Sequence, residues 1–214
     1  MSNLRQGRYG NYYGSFLGES SQLAENMMKT NATYIYSYLT NNGWSINAIS
    51  AIIGNMQAES SINPGRWQND NVGSTSNGYG LVQWTPSTNY TEWAEAQGIE
   101  DHSTMDANLS RIIYEVENGL QWIRRTGYDI SFSEFTKSSQ SVSYLAKAFL
   151  LCYERPADQS DSVQNYRASI SENWYTYLSG ETPVNPINPI STKAKKKYNF
   201  LLFNARRRRE QWIR

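Results

Sequence analysis

The sequence predicts a mainly helical α+β domain with one small β-hairpin set beside a helix end. Three observations predict it. Apolar residues recur at helical spacing in successive stretches between Met28 and Tyr177. Only one run, Tyr79 to Trp84, reads as a short strand, and the Asn77-Gly78 turn signal opens it. A length of 214 residues is ample for one domain and short for two, and a mean hydropathy of −0.67 with 14% aromatic residues describes a polar but folded chain.

Taken in order, residues 1–22 form an arm with no continuous apolar segment, unlike a secretory signal. Met28, Ala32, Ile35, Tyr36 and Leu39 mark a first amphipathic helix, stopped by Asn41-Asn42-Gly43. Ser45 is the expected N-cap of a second, whose stripe is Ile49, Ile52, Ile53 and Met56. Asn63-Pro64-Gly65 ends it, because proline disfavours helical geometry in the residue before it. After the hairpin, Asn89 to Gln97 reads as a short helix. Leu109, Ile112, Ile113, Val116, Leu120 and Ile123 mark the clearest one, starting near Ser103 or Thr104. Phe132 and Phe135 suggest a short helix. Val142, Leu145, Phe149 and Cys152 make another, closed by Tyr153-Glu154-Arg155-Pro156, and Val163 to Tyr177 form the last. The domain therefore spans residues 23–180. A Pro/Asn linker follows at 181–192 and a basic tail at 193–214.

Charge is unevenly shared. Nine of the 20 basic residues follow Gly180 against only Glu181 and Glu210, so an acidic domain carries a basic tail. Such a tail suits contacts with other proteins, with an anionic wall polymer, or with nucleic acid through Arg206 to Arg209. No run approaches a membrane span, so the chain is not expected to be a transmembrane protein. One cysteine and one histidine leave no zinc site of the usual Cys/His kind and no intramolecular disulfide, and no metal or cofactor is expected. Cys152, among Phe149, Leu150 and Leu151, reads as a core residue, and His102 as a solvated one.

Glu59 is the residue that points to chemistry. It lies three residues after Met56 and seven after Ile52, on the apolar stripe at the last turn of its helix. Partial desolvation, with the negative end of the helix dipole beside it, favours the protonated form that a general acid needs. The competing reading is a helix-end glutamate turned to solvent or paired with an arginine. Asp70, in the polar loop before the hairpin, is the candidate second carboxylate, equally a turn-forming residue. Around them, Tyr79, Trp84, Trp67 and Tyr90 offer flat faces for sugars or core packing. Gln83, Asn55 and Gln57 offer amides, and Gly80, like Gly78, lets a ligand approach the backbone. Tyr153, Glu154 and Arg155 read as a structural helix terminus, with Arg155 available to a carboxylate near the cleft.

Glu-Ser at a helix end, then Asn-Pro, then Gly-Leu-Val-Gln resembles the goose-type lysozyme and lytic transglycosylase superfamily. The longer run from Asn31 to about Ser179, with "NNGWSINAI", "GNMQAESSINPG", "GYGLVQWTPSTNY", "RIIYEVEN" and "YERPAD", is similar to the phage tail-knob lysozyme domain, the N-terminal half of the morphogenesis protein in short-tailed phages of Gram-positive bacteria. The resemblance implies a lysozyme-like fold and a virion-associated glycosidase at the phage tail tip. Its substrate would be the peptidoglycan glycan strand, cut between N-acetylmuramic acid and N-acetylglucosamine with Glu59 as acid, and its partners other phage tail proteins. A lytic transglycosylase, an endolysin and a non-catalytic glycan-binding or structural tail protein are the alternatives. The zinc peptidase domain that follows the linker in that family has no counterpart ligands here.

Overall fold

The computed structural model describes residues 23–180. The expected arm, linker and basic tail lie outside the described residues. Seven α-helices follow in order: α1 Glu25–Thr40, α2 Ile46–Ser60, α3 Thr88–Ala96, α4 Met105–Asn118, α5 Phe132–Lys137, α6 Val142–Phe149 and α7 Asp161–Ser179. A 3-10 turn, Gln68–Asp70, precedes α3, and a π-helical turn, Leu150–Glu154, continues α6. The fold is mainly helical.

Local chemistry accounts for most boundaries. Ser45 caps α2 by accepting from the Ala48 N–H at 3.1 Å, and Thr104 caps α4 through Ala107. Ser131 and Glu134 form a reciprocal capping box on α5. α4 stops at Asn118, because Gly119 takes φ +60° and its N–H and that of Leu120 close onto Val116 and Glu115. The apolar pattern that extends this helix to Ile123 is therefore interrupted. Leu120 and Ile123 fall beyond the cap and are exposed.

The expected strand from Tyr79 to Trp84 is not formed, and the β-hairpin reduces to isolated bridges. Tyr79 and Trp84 exchange backbone bonds at 3.2 and 3.0 Å, and Tyr79 also bridges Trp67. Between them the chain turns tightly, because Gly80 at φ +86° and Gln83 at φ +50° leave extended geometry. A Cβ on Gly80 would lie 2.6 Å from Asn108 Oδ1 and 2.9 Å from the Trp84 ring. Protein rather than ligand fills the space that this glycine leaves open.

α2 is the central helix, with Ala48 to Met56 wholly buried and α1, α6 and α7 packed around it. Burying Ile49, Ile52, Ile53 and Met56 contributes about 1.5–3 kcal/mol each. Gly54 sets how closely α7 approaches: a Cβ there would stand 2.7 Å from the Ser171 Cα. Gly54→Ala is expected to lower stability by about 1–3 kcal/mol, despite alanine's better helix propensity, because α7 must move outward. Urea unfolding of the variant checks this, and an unchanged midpoint would show that the contact is slack.

Candidate functional site

The C-terminal end of α2 is held in place on three sides. Ser60, fully buried, donates to Met56 O at 3.0 Å and to Leu81 O at 2.8 Å, tying the helix end to the Gly80–Gln83 turn. Ser61 and Ile62 then both adopt left-handed backbone, at φ 55° and 57°. For a β-branched residue this conformation is unfavourable by roughly 1–2 kcal/mol. Asn31 of α1 offsets it by donating to Ile62 O at 2.9 Å. Asn108 of α4 secures the far side. Its Nδ2 lies within hydrogen-bonding distance of Pro64 O, His102 O, Thr104 O and the Tyr90 hydroxyl, among which its two N–H groups are shared, and its Oδ1 accepts from Leu81 N–H.

Glu59 emerges from this frame with its side chain 22% exposed and ion-paired to Arg167 Nη2. The arginine-paired alternative raised by the sequence is the one the structure adopts, and the arginine comes from α7. Arg167 is itself buried. Its Nη1 donates to Asn55 O at 2.8 Å and stands 3.5 Å from Glu154 Oε2. Glu154, last residue of the π-helical turn, has a side chain only 4% exposed. Glu59 and Glu154 face the two terminal nitrogens of the same guanidinium. Burial, then the like charge of Glu59, pushes the Glu154 carboxyl well above the usual carboxylate range, against the pull of Arg167. Two carboxyls thus share one guanidinium at a helix end that opens to solvent.

Glu154 was legible only as a helix terminus, and Arg167 carried no local signal, being an arginine in an amphipathic helix. Arg155 is not the pairing cation: its Nη1 donates to Gln121 O and Cys152 O. π-turns widen a helix by one residue and recur at functional positions. Here the turn leaves Tyr153 bonded to Glu115 Oε2 at 2.5 Å and the next residue, Glu154, facing α2 and α7.

The other sequence candidates divide. Asp70 is exposed, at φ 60° in the 3-10 turn; the carboxyl that shares Arg167 with Glu59 is Glu154. Tyr79, Trp84, Trp67 and Tyr90 are all buried, packed as core instead of displayed as open faces. Tyr79 stacks on Trp67 at 4.1 Å and on Tyr90 at 5.8 Å, and Tyr90 on Trp84 at 4.5 Å. Trp84 Nε1 donates to the buried Glu115 at 3.0 Å, and Arg111 Nε completes that carboxylate at 2.8 Å. Burial pushes the Glu115 carboxyl up, and these partners oppose it. His102 belongs to the same assembly: its Nδ1 lies 3.0 Å from the Tyr79 hydroxyl, so it is not a solvated residue, and burial lowers its pKa.

Asn55 is fully buried, donating to Ala51 O and Ala146 O, and so does not face a ligand. Gln57 accepts from Trp174 Nε1 at 2.7 Å and braces α7. Gln83 is half-buried. Its Nε2 donates to Arg66 O and Gly80 O, while Oε1 takes no protein donor among the described residues. Cys152 is buried and free, and burial raises its thiol pKa. Among the described residues no group of three or more His, Cys, Asp or Glu is gathered for a metal ion, and no helix is long and apolar enough to cross a membrane.

Residues 30–178 match the family described as phage tail lysozyme. The chain is also 47% identical over 167 residues to morphogenesis protein 1 of Bacillus phage B103, a match covering 78% of this chain and 44% of that protein. It thus spans less than half the length of that relative.

Proposed function

The chain belongs to the phage tail lysozyme family, and on that footing we propose that it is a virion-associated glycosidase that cleaves the β-1,4 bond between N-acetylmuramic acid and N-acetylglucosamine in peptidoglycan. Acting at the phage tail tip, it opens the host wall locally during genome entry. The observation that carries the reading is the carboxyl–guanidinium cluster at the end of α2, with Glu59 as its solvent-facing member. Glu59 protonates the leaving glycosidic oxygen. Gln83 Oε1 offers an acceptor to the sugar, and Asp70, exposed on its turn, is the candidate base for an attacking water.

Digestion of purified peptidoglycan by the full chain, followed by mass spectrometry, tests this. Reducing-end muramic acid products are expected. Anhydro-muramic products would make the enzyme a lytic transglycosylase, in which the muramic acid's own hydroxyl attacks. Retained glycan binding without any fragments would leave a non-catalytic tail component and overturn the glycosidase.

A further inference from the structure

We propose, resting on the reading of Glu59 as the proton donor, that Glu154 is a positioning residue that shares one proton with Glu59 across their carboxyl pair. The geometry demands a proton there. Among the described residues, neither Glu154 oxygen receives a hydrogen bond from any N–H or O–H, although both are buried. Arg167 Nη1 reaches it only at 3.5 Å. A buried carboxylate with no donor is strongly disfavoured, and two of them against one cation more so. A proton between the carboxyls supplies the missing donor and brings the three groups to zero net charge.

Among the described residues, the charged groups facing Glu154 come from two elements, Glu59 from α2 and Arg167 from α7. Arg155, next in sequence, turns to backbone carbonyls instead. Burial and the like charge of Glu59 hold the Glu154 proton to higher pH than a lone glutamate holds one. In the reaction, Glu59 passes this proton to the glycosidic oxygen; the new O–H bond forms as the C1–O bond breaks. The site then holds two carboxylates and one guanidinium, a net negative charge that forms as the sugar carbon turns cationic. The proton returns from the attacking water or from the attacking muramic acid hydroxyl. Glu154 touches no substrate in this scheme and acts through Glu59.

The test is a pH–rate profile of the full chain on purified peptidoglycan for wild type, Glu154→Gln and Glu59→Gln. Glu154→Gln is expected to be at least about tenfold slower near neutral pH, with the alkaline limb of kcat/KM moved to lower pH by about one unit or more, because the remaining carboxyl titrates alone beside Arg167. A slower variant with an unmoved limb would reveal a merely structural residue and overturn the proposal. Should Glu154→Gln fail to fold, carbon-13 carboxyl NMR of wild type and Glu59→Gln decides. The Glu154 resonance is expected to titrate above ordinary glutamates and to move toward acid when Glu59 loses its charge; a titration indifferent to Glu59→Gln overturns the shared proton. Turnover by Glu59→Gln overturns the assignment of Glu59 itself, and the NMR experiment separates that failure from failure of the pair.

Discussion

Glu59→Gln is expected to slow glycan cleavage by roughly 100- to 10,000-fold near neutral pH while leaving the domain folded. The amide keeps the size and polarity of the carboxyl and can still accept from Arg167, but it has no proton of the right acidity to give. Folding is expected to survive because the side chain is 22% exposed and its loss leaves Arg167 with a second carboxyl, Glu154, as counter-ion. Fragment release and thermal unfolding, measured on one preparation, separate the two effects. Turnover within about tenfold of wild type would remove Glu59 from the role of acid.

The second large effect falls on stability. Arg167→Ala removes the cation common to both carboxyls and the donor to Asn55 O, all in a buried setting. A loss of about 3–5 kcal/mol near neutral pH is expected, the usual consequence of leaving buried charge uncompensated. Arg167→Lys is expected to recover only part of it, since one ammonium cannot reach Glu59, Glu154 and the Asn55 carbonyl as a guanidinium fork does.

The pH dependence has a definite sign. Glu154 binds its proton more tightly in the folded state, where its pKa lies above the ordinary 4.5. Its contribution is fully present below 4.5 and is lost as pH rises toward the folded value. Removing Arg167 raises that folded value further, so the variant's deficit is expected to be smallest near pH 5 and to widen toward pH 8. Urea unfolding at both ends of this range checks the slope, and a deficit independent of pH would show that Arg167 acts through packing alone.

Much of the architecture was legible in the chain. The apolar stripes located the helices, Ser45 announced its cap, Ser103 or Thr104 marked the start of α4, and the pattern placed Glu59 at the last turn of a buried helix. Two kinds of residue resisted. The aromatic group Trp67, Tyr79, Trp84 and Tyr90 suits a sugar platform or a core equally well by composition, and burial alone distinguishes them. The Tyr79–Trp84 run carried strand-forming residues, yet Gly80 and Gln83 at positive φ turned it, and no local rule demanded that of Gln83.

By itself, then, the sequence determined the helical framework, the position of Glu59 on it and the family to which the chain belongs. Tertiary structure alone decided what stands next to that glutamate. Arg167 arrives from 108 residues away because Gly54 lets α7 close onto α2, and Glu154 arrives because a π-turn rotates it inward. Periodicity assigns a side chain to a face of its own helix; it carries no information about which side chain of another helix is packed against that face.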